Sequence, residues 1–164
     1  MDIQSLRHIR CCILFVIFGL AASGVTAFPL QHEIEWISHT LGIPQNASPD
    51  QFEGFRRWIT MIRQGLQQTN AHYPFIAYGT DWLAFAHLLL AILFIGPCRD
   101  PLRNLWVIDF GIFACIAVFP LALICGQIRG IPIEWRLLDC SFGLVAIGPL
   151  LICRTLVRRS ERNK

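Results

Sequence analysis

The chain has 164 residues, of which 54% are hydrophobic and 15% charged, with a formal net charge of +3. Domains that fold in water carry about 25% charged residues, so this composition argues against a soluble fold and for lipid as the main solvent. The positive excess sits in short segments beside apolar runs, which accounts for it without nucleic acid as a partner.

Residues 1–10 carry Arg7 and Arg10 and are expected as a cytoplasmic N-terminus. The apolar run over residues 11–28 suits a spanning helix, which needs about 17–25 mostly apolar residues. Basic residues, an apolar stretch and the small residues Val25 and Ala27 also fit a cleaved signal peptide, and on sequence alone both readings stay open.

Residues 29–78 form the one sizeable hydrophilic piece, expected as an extracytoplasmic cap of two amphipathic helices. Leu30, Ile34, Ile37 and Leu41 recur at helical spacing. Ser48 is the expected N-cap of the second helix, with Pro49 in its first position and Gln51 completing a capping box. That helix is expected to gather Phe52, Phe55, Ile59, Ile62 and Leu66 on one face, with Glu53, Arg56, Arg57 and Arg63 turned away. A piece of about 50 residues is marginal for a core of its own. Its apolar faces are therefore expected on the membrane surface or on the outer ends of the spans.

Three more apolar runs follow, at residues 79–96, 105–125 and 137–153, separated by a cytoplasmic loop at 97–104 and an outer loop at 126–136. In lipid every backbone polar group needs an internal partner, so these runs are expected as helices. Arg99 and Arg103 in the first loop, and five basic residues in the tail at 154–164, mark the cytoplasmic side. Trp82 and Trp135 then fall at the outer boundary and Trp106 at the inner one. The expected fold is all-α: a multi-pass bundle of four transmembrane helices under a two-helix cap. Both termini are expected in the cytoplasm, and the location is the plasma membrane, or the inner membrane if the source is bacterial.

Ionisable groups inside spans cost about 2.5–3.5 kcal/mol at mid-membrane and often mark function. Asp81, His87, Asp109, Arg136 and Asp139 form the candidate intramembrane polar site. Asp109 starts the third span near Arg99 and Arg103, and Asp139 has Arg136 one turn earlier, so both are expected in boundary ion pairs. Asp81 lies beside Thr80, where it suits a helix start. His87 lies about 9 Å deeper along the same helix. It shares a face with Thr80, Ala84 and Ala91, while Asp139, Gly143 and Ala146 form a comparable stripe in the last span. Small residues let helices approach closely, so the two stripes are expected to pack together and bring His87 to Asp139.

Other patterns carry less. The run HEIEW has Trp36 where a zinc protease would place its second His. His32, Glu35 and His39 share a face, but the two imidazoles would stand about 10 Å apart along the axis, too far for one metal. The seven cysteines include no C-x-x-C pair, and only Cys125 and Cys140 are expected to approach one another near the outer side. An early Asp and a late Pro-Leu before Ile-Cys recur in the last two spans, an echo of the kind inverted repeats leave. No cofactor is expected. With no nucleophile–base pair in sight, the leading expectation is a non-enzymatic membrane interaction protein or accessory subunit. Its expected partners are the lipid bilayer and either a second copy or another membrane protein. The alternative is a small proton-coupled transporter using His87 with Asp81 or Asp139.

Overall fold

The computed structural model describes residues 3–162, and among these every regular element is helical. The helices are α1 (Ile3–Ala27), α2 (Leu30–Thr40), α3 (Gly54–His72), α4 (Tyr78–Leu93), α5 (Ile95–Arg99), α6 (Leu105–Pro120), α7 (Gly126–Ile128) and α8 (Ile133–Arg162). Short 3₁₀ turns occupy Pro49–Gln51 and Pro74–Ala77, and a π-helical segment, Leu121–Cys125, joins α6 to α7. Four continuous stretches are long and apolar enough to cross a membrane: Ile3–Ala27, Pro74–Arg99, Leu105–Ile128 and Ile133–Arg162. At 1.5 Å per residue each is longer than the roughly 30 Å of a bilayer's hydrocarbon core. Arg7 and Arg10 therefore lie on α1 itself, and Arg154, Arg158 and Arg159 lie on α8.

The chain divides into two compact units. The first comprises Met1–Ala21 and Leu89–Lys164. Here α6 packs along α8, and Ile9, Ile13, Phe94, Ile108, Leu150 and Cys153 are buried together. Two glycines set the spacing. A Cβ on Gly143 would stand 2.6 Å from the carbonyl oxygen of Cys115, and one on Gly111 would stand 2.7 Å from the Phe94 ring. The link between α5 and α6 is a tight turn organised by Asn104, whose amide donates to Gly96 O (3.3 Å) and Asp100 O (2.9 Å). The Asp100 carboxylate in turn accepts from the Arg103 backbone N–H (3.1 Å).

The π segment follows directly on Pro120, which lacks an N–H and removes one rung from the end of the α6 ladder. The chain then leaves α7 through a Schellman arrangement, with Ile131 N donating to Gly126 O and Gly130 N to Gln127 O. Gly130 takes the left-handed conformation (φ 69°) that this ending requires.

The second unit is Ala22–Leu88. Within it α2 packs on α3, with Ile34 and Ser38 of the one and Ile59 and Thr60 of the other buried. Two expectations are corrected here. Ser48, Pro49 and Gln51 do form the expected capping box, with Ser48 N donating to the Gln51 side chain at 3.3 Å, but it opens a single 3₁₀ turn and not the second helix. The chain is extended at Phe52 and Glu53, and α3 begins at Gly54 with φ 56°. The capping residues thus close a turn rather than open the long helix.

Arg63 is the second correction. Expected on the solvated face, it is 4% exposed. The loop after α2 leaves carbonyls with no helical partner, and side chains of the neighbouring helix can donate to them. Three α3 side chains supply them: Arg56 to Gly42 O (3.2 Å), Arg63 to Pro44 O (2.7 Å) and Gln64 to Ala47 O (3.2 Å). The buried face of α3 is therefore rotated from the apolar stripe toward Ile59, Thr60 and Arg63.

Candidate functional site

The five polar residues singled out in the sequence fall in both units. Asp81 and His87 belong to Ala22–Leu88, whereas Asp109, Arg136 and Asp139 belong to the other unit. The small-residue stripes do find close contacts, but with partners the sequence did not name. Ala84 lies against α1, where a Cβ on Gly24 would stand 2.9 Å from the Ala84 carbonyl oxygen. Gly143 lies against Cys115 of α6. A stripe of small residues states that a helix can be approached closely. It carries no information about which helix approaches.

His87 is half-buried, and its Nδ1 lies 2.8 Å from Leu83 O on its own helix. A carbonyl only accepts, so Nδ1 carries the proton and Nε2 is the ring's remaining polar atom. Arg136 does not turn to Asp139. Its Nη1 donates to Leu123 O (3.3 Å) and Gln127 Oε1 (3.0 Å), so it serves the π segment, while its Nε is buried without a partner. Gly126 makes room for it, since a Cβ there would stand 2.6 Å from Arg136 Cδ. Asp109 pairs not with Arg99 or Arg103 but with Arg154 (2.6 Å) and Arg158 (4.0 Å) on α8. These residues lie 45 and 49 positions further on, beyond the reach of any local pattern.

Asp81 lines an open cavity of about 620 Å³, formed within one unit by the start of α2, the second half of α3 and the first turn of α4. Leu30, Leu66 and Ile76 contribute apolar wall, and His32, Asn70 and Thr80 contribute polar atoms. Asn70 donates to Gln31 Oε1 (2.7 Å), and Gln31 donates to Glu35 (3.0 Å), a short chain that ties α2 to α3 beside the cavity. A second, smaller cavity of about 390 Å³ is lined by Glu35, His39 and the buried Arg63. His32 and His39 thus open onto different cavities. Among the described residues no group of three or more His, Cys, Asp or Glu side chains is placed to hold a metal ion. Cys125 and Cys140 are both free thiols.

Gly65, on the wall of the larger cavity, would meet nothing within 4 Å if it carried a Cβ. Glycine in a helix interior costs about 0.5–1 kcal/mol relative to alanine. Gly65→Ala should therefore raise stability by about that amount, read as a higher unfolding temperature. An unchanged or lower one would mean that α3 does not run regularly through this position.

No family model, curated protein or solved structure matches the chain.

Proposed function

We propose that this is a small integral membrane protein that works without catalysis, by association with lipid and with a second membrane protein or a second copy of itself. The observation that carries the reading is the apolar exterior. In each of the four long helices only 22–28% of the most apolar window is buried within the chain. Side chains such as Phe18, Ile92, Phe113, Ile124, Phe142 and Leu144 are left more than half exposed. Monomers in water rarely expose large contiguous apolar patches, and such surfaces are covered by lipid or protein. The clustering of Arg on the last part of α8 supports a cytoplasmic C-terminus, and the hairpin of α2 and α3 is then the extracytoplasmic cap. At the start of α4 the rings of Tyr78, Trp82 and Phe85 stack edge to face, an exposed aromatic group of the sort that anchors a helix at the interface.

Topology is tested with reporters. A fusion after Lys164 should report from the cytoplasm and one inserted at Asn46 from outside; a cytoplasmic signal at Asn46 would overturn the cap. The non-transport reading is tested in proteoliposomes holding a pH-sensitive dye. The protein should dissipate an imposed pH gradient no faster than protein-free vesicles. A proton flux that His87→Gln abolishes would replace this reading with proton-coupled transport, because Gln preserves hydrogen bonding but cannot titrate near neutrality.

A further inference from the structure

The larger cavity combines a hydrocarbon wall with few polar groups. Most of its wall is hydrocarbon, and the carboxylate of Asp81 is its one acidic group. The Asp81 carboxylate makes no ion pair or hydrogen bond with any other described side chain or loop backbone group. The neighbouring amide of Asn70 is committed to Gln31. An apolar pocket with a few placed polar groups is the ordinary form of a small-molecule site. Gly65 lies on the wall, and a Cβ there would meet nothing within 4 Å, so a larger side chain can be introduced at this point without a clash.

A carboxylate accepts only, so its complement is a cation that donates hydrogen bonds. Quaternary ammonium groups are instead recognised by cages of aromatic faces, and this wall has one aromatic hydrocarbon ring, Phe28. The hydrocarbon wall asks for an apolar body on the same molecule. The adjacent exposed rings of Tyr78 and Trp82 belong at headgroup depth. We propose that this cavity binds a membrane lipid whose headgroup ends in a primary ammonium, with the ammonium on Asp81 and hydrocarbon along Leu30, Leu66 and Ile76. The assignment rests on the membrane reading above.

The test uses the full chain, delipidated in a non-ionic detergent, titrated with phosphatidylethanolamine, phosphatidylcholine or phosphatidylglycerol of identical chains, and read by native mass spectrometry. The ethanolamine lipid should bind about tenfold more tightly than either of the others, as one charge-assisted hydrogen bond implies. Equal binding of the three overturns the proposal without recourse to any variant. Asp81→Asn should reduce the preference to about twofold or less, whereas a retained preference overturns the role of Asp81. Gly65→Phe, directed into open space, should weaken all three lipids, and unchanged binding would place the lipid elsewhere. Phosphoethanolamine without chains should not bind; if it binds as tightly as the lipid, the ligand is a soluble amine and the lipid assignment fails. Alkaline carbonate extraction keeps the two readings apart. Release of the chain from membranes would sink the membrane reading while leaving the detergent titration to judge the cavity.

Discussion

Gly143→Val should be among the most damaging single changes in this chain, costing about 3 kcal/mol by overpacking. A Cβ at that position would stand 2.6 Å from the Cys115 carbonyl oxygen, and the obstacle is backbone, which cannot rotate aside as a side chain can. Either α6 and α8 separate or one of them bends. Separation would loosen the buried contacts of Ile108, Leu150 and Cys153 further along the same interface. Gly19→Ala, in the interior of α1, is the control, because its Cβ would meet nothing within 4 Å. That variant should be neutral or gain up to about 1 kcal/mol from helix propensity. Thermal unfolding of the purified proteins compares the two. Equal melting temperatures for Gly143→Val and the unsubstituted chain would mean that α6 and α8 are not in close contact at this point.

Arg63→Ala is the second large effect, for a different reason. Its Nη2 donates to Pro44 O at 2.7 Å, and the side chain is almost wholly buried. Truncation removes a charge-assisted hydrogen bond, worth about 1.5–3 kcal/mol, and opens a void where the side chain was buried, while Pro44 O keeps the Ala47 N–H at 3.2 Å. A total of about 2–4 kcal/mol is expected from the two terms together. Arg63→Met retains most of the apolar stem and removes a costly buried charge, so it should lose less than the alanine variant. The loop between α2 and the Pro49–Gln51 turn is the place to look, because Arg56, Arg63 and Gln64 together hold its carbonyls. Protease cleavage there should accelerate in the alanine variant. An alanine variant as stable and as resistant as the parent would show that the side chain points to solvent after all.

The misreading of Arg63 shows where sequence patterning stops. Hydrophobic periodicity ranks residues by side-chain type, and by that measure the apolar face of α3 is centred on Phe55, Ile59 and Ile62. The buried face also answers to the backbone of a neighbouring loop, whose carbonyls can accept from side chains of the helix beneath. Phe55 is consequently 43% exposed, while Thr60 and Arg63 are enclosed. The same limit explains the ion pairs. Asp109 next to basic residues was legible as a boundary group, but its partners come from α8 because α6 and α8 pack side by side. Arg136 and Asp139, three apart on one helix, were the natural local pair. The π segment that follows Pro120 offered Leu123 O instead, and Gly126 left the path to it open.

Composition and run length were enough, by themselves, to determine that this chain is all-helical with four segments long and apolar enough to cross a membrane. Those properties are local: they depend on how many consecutive residues shun water and on how a backbone without solvent must satisfy itself. The small residues that permit close helix contact were also visible, since Ala84 and Gly143 both sit at such contacts. Tertiary structure alone decided which helix meets which, putting α1 against Ala84 and α6 against Gly143. It alone drew Asp81 together with His32, Leu66 and Asn70 around one cavity. Such relations depend on side-chain contacts across tens of residues, and a one-dimensional pattern of apolar and polar letters has no coordinate in which to express them.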